Sequence, residues 1–134
     1  MLLVDSSVWI DFFNGRTTPQ VDYLHDSLGQ TEIIVGDIIL AEVLQGFRYD
    51  KDFELAKWAL QQFQLVQILN PELALISAQN YRRLRRQGIT IRKTLDCFIA
   101  TYAITHQLDF LHNDRDFDPF EHYLGLQVVR GYWQ

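Results

Sequence analysis

The chain has 134 residues, 48% apolar and 22% charged, a composition that predicts one globular domain over 1–134 with a sizeable core. No apolar run approaches the ~20 residues of a membrane helix, and the N-terminus lacks the basic start and long apolar stretch of a signal peptide. A net charge of −5 argues against a simple electrostatic nucleic-acid binder, and a single cysteine, Cys97, excludes an internal disulfide and suits a reducing cytoplasm.

The pattern alternates strands and helices. Leu2–Asp5 reads as a short strand, apolar on both faces. Ser7–Phe13 reads as a helix closing near Asn14-Gly15. Pro19 and Gly29 bracket a helix over Gln20–Leu28. Glu32–Val35 is the second strand. Asp37 is placed to cap a helix over Ile38–Gln45 that Gly46 ends. Asp52 is placed to cap a helix through Phe63, and Leu65–Leu69 has a strand's composition. Asn70-Pro71-Glu72 opens a helix of about four turns that Gly88 stops. Thr94 is placed to cap a helix from Leu95 to His106. Asp109–His112 is a strand, Pro119–Leu124 a short helix and Leu126–Val129 a last strand. This alternation predicts an α/β fold, a three-layer α/β/α sandwich around a mostly parallel sheet. In such sheets ligands gather at the carboxyl ends of the strands, where Asp5 and Asp114 fall.

Four carboxylates interrupt apolar segments: Asp5, Glu42, Asp96 and Asp114. Each has an ordinary alternative. Asp5 suits a helix cap, as do Ser6 and Ser7. Asp96 suits the positive end of its helix dipole. Asp114 lies in the polar turn Asn113-Asp114-Arg115-Asp116, where Asp is common. Glu42 is harder to account for locally. Its neighbours three and four positions away are Ile38, Ile39, Gln45 and Gly46, so no cation pairs with it along the helix. The helix is apolar nearly all round, which predicts a buried Glu42 matched by a metal or by a distant arginine.

If the four converge they repel one another, and a divalent cation reverses that penalty. Oxygen donors suit Mg²⁺ or Mn²⁺, and no Cys/His set has zinc spacing. His25, His106, His112 and His122 are scattered and read as surface or core residues. No nucleophile elbow, Walker loop or dinucleotide fingerprint is present. An all-carboxylate metal site without a side-chain nucleophile suits phosphodiester cleavage.

The negative total hides a basic stretch. Leu73 to Leu95 contains no acid, yet it carries Arg82, Arg83, Arg85, Arg86, Arg92 and Lys93, six of the twelve Lys and Arg. The first four read equally as a solvated face or an RNA track. Arg92 and Lys93, just before Asp96, are placed for phosphate contacts.

Four segments in order carry a family resemblance: Leu3-Val4-Asp5-Ser6-Ser7-Val8-Trp9, Ala41-Glu42-Val43-Leu44-Gln45-Gly46, Thr94-Leu95-Asp96-Cys97-Phe98-Ile99-Ala100 and Asn113-Asp114-Arg115-Asp116-Phe117. With them the chain resembles, over its full length, the PIN-domain ribonucleases of the VapC toxin type. The resemblance implies a catalytic and metal site at Asp5, Glu42, Asp96 and Asp114. It adds Asp116 as a further acidic position and Ser6 as a hydroxyl shaping the site. It also implies Mg²⁺- or Mn²⁺-dependent endoribonuclease activity, a homodimer, and inhibition by a cognate antitoxin. By the same analogy Trp9, Phe12 and Phe13 are a candidate antitoxin surface, with ordinary core packing the alternative. Tyr132 and Trp133 are placed to cover the sheet or meet a partner. Two rivals remain. A phosphatase of the haloacid-dehalogenase type needs a second Asp where Ser7 stands, and a receiver domain needs a late lysine, whereas the last one here is Lys93. A non-catalytic RNA-binding module is the third class.

Overall fold

Leu2–Val4 form strand β1 and are buried on both faces, as their apolar run requires. The computed structural model describes residues 1–131; Tyr132 and Trp133 lie outside them. The other strands are β2 (Ile33–Gly36), β3 (Gln64–Val66), β4 (Asp109–Leu111) and β5 (Gln127–Val128). All pair in parallel, in the order β3-β2-β1-β4-β5. Leu2 sits opposite Ile33 on one side and Asp109 on the other.

The helices are α1 (Ser6–Phe13), α2 (Pro19–Ser27), α3 (Asp37–Gln45), α4 (Asp50–Gln61), α5 (Pro71–Arg86), α6 (Thr94–Thr105) and α7 (Asp118–Leu124), with a 3₁₀ turn at Arg115–Phe117. The chain steps from β1 through α1 and α2 to β2, then through α3 and α4 to β3, toward one edge. It returns through α5 and α6 to β4, then through α7 to β5, toward the other edge. Right-handed crossovers therefore place α1–α4 on one face and α5–α7 on the other. The packing of the helices follows this division: α1 meets α2 and α3, α3 meets α4, and α5 meets α6 and α7. The expected three-layer sandwich results. Winding reverses between β1 and β4, which opens a crevice at their carboxyl ends.

Caps and edges depart from expectation in informative ways. Thr18 caps α2 through Val21 N, a cap not expected from the sequence. Asn70 caps α5 through Leu73 N, with Pro71 in the first turn, as expected. Neither Thr94 nor Asp52 caps its helix: Lys93 and Tyr49 hold those positions without a side-chain bond. Asp37 opens α3 from inside the helix; its Oδ1 accepts from Ile38 N at 2.8 Å and from Ile68 N at 2.9 Å. Strand β3 ends at Val66, short of the expected Leu69, and its first two residues are exposed at the sheet edge. Ile68 instead turns inward, fully buried, against Gly36. A Cβ on Gly36 would overlap Ile68 Cδ1 and stand 2.7 Å from its Cγ1, so any larger residue there forces Ile68 to shift.

Trp9 is 1% exposed. Its ring packs on Phe12, Phe13 and Phe63 with centroids 5.7, 5.9 and 5.4 Å away. Trp9 is therefore core, which removes it from the candidate antitoxin surface; Phe12 and Phe13 are half-buried against the same core. Cys97 is buried and bonded to Ser77, 3.2 Å from its Oγ, and burial pushes the thiol up. That environment makes it inert. Among the described residues no helix is long and apolar enough to cross a membrane.

Candidate metal centre

Asp5 follows β1 directly and is only 3% exposed. It does cap α1: Oδ2 accepts from Ser7 N at 3.0 Å and from Ser7 Oγ at 2.6 Å. Its other oxygen, Oδ1, is buried and has no hydrogen-bond partner. Burial pushes the carboxyl up to about 6; the Ser7 bonds and, more weakly, the Ser6 backbone amide pull against this, and the charge of Glu42 adds to it. A buried acceptor left open in this way is costly unless a cation meets it.

Asp96 is buried in the first turn of α6. Asp114 caps the 3₁₀ turn, accepting from Asp116 N at 2.9 Å. Asp96, Asp114 and Asp116 each place a carboxylate oxygen within 4.8 Å of the other two. Burial pushes Asp96 up to about 7, helped first by the charge of Asp5 and then by Asp114 and Glu42, with Lys93 opposing. Crowding of this kind makes ionisation of the buried Asp96 costly. Asp116 thus stands inside the acidic set, while Asp5 reaches it as a charge facing Asp96.

Glu42 is half-buried, against the expectation of burial. Only one side of α3 faces the core, through Ile39 and Val43; Asp37, Ala41 and Gln45 are exposed. Glu42 Oε1 accepts from Ser6 Oγ at 3.3 Å. Burial raises its pKa, while Ser6 and the charge of Lys93 lower it. The charged side chain acting on Glu42 is therefore a lysine, where the sequence offered an arginine as the alternative to a metal. Lys93 is exposed and acts on both Glu42 and Asp96.

Arg92, placed by the sequence for phosphate contact, is exposed and pairs with Asp116. Its Nη2 donates to both oxygens of Asp116, at 2.9 and 3.2 Å. Arg82, Arg83, Arg85 and Arg86 are exposed near the end of α5, and Arg85 lies over the Tyr81 ring at 5.8 Å.

Two residues at the site are not evident from the sequence. His112 reads there as one of four scattered histidines. In the fold its Nδ1 accepts from Asp114 N at 3.1 Å, and its ring packs 5.6 Å from Phe110 and 5.1 Å from Phe117. Burial lowers its pKa, which favours the neutral ring that can accept. Its signal in the sequence is its place directly after β4, two residues before Asp114. Ser7 is overshadowed by Ser6. Ser7 Oγ also accepts from Asn113 N at 3.1 Å.

The donors are all oxygen, one is an open buried carboxylate oxygen, and burial together with neighbouring negative charge raises Asp5 and Asp96. Such a set fits a hard divalent ion. The sequence pattern of the PIN domain matches residues 2–122. The chain belongs to the PIN domain family. A VapC ribonuclease of Mycobacterium bovis and ribonuclease VapC11 of Mycobacterium tuberculosis are each 27% identical over 131 residues, covering 96% of this chain and 98% of theirs. Among solved structures, FitAcB of Neisseria gonorrhoeae (TM-score 0.76, 21% identity, 100% of both chains) has the same fold. So does VapBC2 of Rickettsia felis, solved bound to a promoter DNA fragment (0.76, 15%, 96% of both chains). In this PIN domain Asp5 and Asp114 flank the crevice where the winding reverses. Ser7 occupies the position where the phosphatase alternative needs an acid, and its hydroxyl is engaged with Asp5 itself.

Proposed function

We propose that the whole chain acts as one PIN domain, a Mg²⁺- or Mn²⁺-dependent endoribonuclease of the cytoplasm. It is the toxin of a toxin–antitoxin pair, a homodimer held inactive by its cognate antitoxin. The observation carrying this reading is the open, buried Oδ1 of Asp5 beside raised Asp96 and the Asp114–Asp116 pair. Support comes from the relatives named VapC ribonucleases and from a neighbouring structure described as a toxin–antitoxin complex from Klebsiella pneumoniae.

Asp96, Asp114 and Asp116 would hold the ion, with the open Oδ1 of Asp5 as a further ligand. When bound, it supplies charge stabilisation at the scissile phosphate and acidifies water. The chain's own residues divide the remaining work. Glu42, held by Ser6, accepts a proton from the attacking water and aims it. Lys93 adds positive charge beside Glu42 and Asp96, where phosphate arrives. Arg85 and Arg86 extend a basic path for the RNA backbone, and Arg92 tempers the charge of Asp116.

With antitoxin-free protein and Mn²⁺, Asp96→Asn and Glu42→Gln are expected to lose at least about a hundredfold in RNA cleavage. Wild-type rates in Asp96→Asn would reject the proposal. An aspartyl-phosphate trapped from wild type would favour the phosphatase class instead.

A further inference from the structure

We propose that Ser7 is a positioning residue whose hydroxyl sets Asp5 and Asp114 in one cation-binding arrangement, by bridging the Asp5 carboxylate to the backbone amide of Asn113. The inference rests on the metal-dependent reading above. A hydroxyl has one proton to donate and lone pairs to accept. Here both directions are used: Oγ donates to Asp5 Oδ2 at 2.6 Å and accepts from Asn113 N at 3.1 Å. The two bonds orient each other, because the amide polarises the hydroxyl toward the carboxylate.

The bridge has two consequences. It commits Oδ2 of Asp5, so that the open oxygen is Oδ1. It also anchors Asn113, next to Asp114, to a residue 106 positions earlier in the chain. Beyond β4 the backbone has left the sheet, and this bond ties that loop to the first turn of α1. The adjacent hydroxyls of Ser6 and Ser7 thus reach opposite sides of the site, Ser6 to Glu42 on α3 and Ser7 to Asp5 and the β4 loop. Outer groups that orient ligands are worth about ten- to a hundredfold in metal affinity.

Ser7→Ala removes the hydroxyl and keeps the Ser7 N–H bond that caps α1. Ser7→Thr keeps the hydroxyl. Mn²⁺ titration by calorimetry, and amide exchange of Asn113 by NMR in metal-free protein, read the two arms of the bridge. Expected for Ser7→Ala are a Kd for Mn²⁺ about tenfold or more weaker and faster Asn113 exchange. Ser7→Thr should restore both. Wild-type affinity and exchange in Ser7→Ala, or failure of Ser7→Thr to restore either, would overturn the inference alone. Wild type that binds no Mn²⁺ and cuts no RNA would overturn the metal reading and this inference with it. Independently of any variant, Asn113 in metal-free wild type must exchange more slowly than an open loop amide; exchange at the open rate overturns the bridge.

Discussion

Asp5 divides its carboxylate between two tasks, one oxygen capping α1 and the other left without a hydrogen-bond partner. The division explains why the sequence could not choose between cap and ligand: the residue is a cap and is also available as a ligand. Its titration carries a stability consequence. Asp5 and Asp96 are pushed up to about 6 and about 7, whereas the unfolded chain titrates near the usual ~4. The folded state therefore holds protons that the unfolded state has released, and stability falls as pH rises across that window. In EDTA, the melting temperature is expected to drop by several degrees between pH 5 and pH 8, with saturating Mn²⁺ abolishing most of the slope. Buried His112, lowered in the fold, pulls the other way below about pH 6.5, so a metal-free melting temperature that climbs above that pH would show that these carboxyls are not raised. Asp96→Asn tests the same electrostatics in a second way. It removes one of the crowded charges, so metal-free protein at pH 8 should melt higher than wild type even as cleavage is lost. A lower melting temperature would mean that the carboxylate is structurally required beyond its charge.

Elements with strong local signals were legible. Asn70-Pro71 fixed the start of α5, and the buried run Leu2–Val4 identified the central strand. What escaped depends on packing between residues remote in the chain. The sequence overextends β3 because Ile68 has a strand-like side chain, but its burial comes from plugging the space that Gly36 leaves at the end of β2. Glu42 looks lonely because the charge near it comes from Lys93, fifty-one residues away by the numbering, and spacing along one helix cannot reveal such a pair. His112 cannot be told from a core histidine until its backbone partner, the Asp114 amide, is placed. The Gly36–Ile68 junction is itself testable. Gly36→Ala puts a methyl group where Ile68 already sits, and overpacking of this kind costs about 1–3 kcal/mol. Asp37→Ala strips the acceptor from Ile38 N and Ile68 N, with a cost of about 1–2 kcal/mol. Urea unfolding should show both losses with an unchanged m-value. A wild-type midpoint for Gly36→Ala would mean that Ile68 moves aside without penalty.

At the scale of the whole molecule, winding direction and charge distribution converge on the same face. Winding reverses between β1 and β4, and the acidic set stands at that crevice. A net charge of −5 would repel RNA over the surface as a whole, so productive approach requires local positive charge. The described structure separates the basic stretch into three roles. Arg92 is occupied by Asp116. Lys93 acts on Glu42 and Asp96. The arginines near the end of α5 are exposed. Different kinetic signatures follow. On the proposed basic path, replacing Arg85 and Arg86 together by alanine removes exposed positive charge away from the scissile bond, so KM should rise while kcat stays near wild type. The plot of log kcat/KM against log salt should flatten by about 0.7 for each phosphate of single-stranded RNA that is no longer neutralised. Lys93→Ala removes charge beside the reacting groups and should lower kcat about tenfold or more, with a smaller change in salt slope. If the double arginine variant keeps the wild-type salt slope, those arginines are a solvated face and the RNA approaches the crevice from another side.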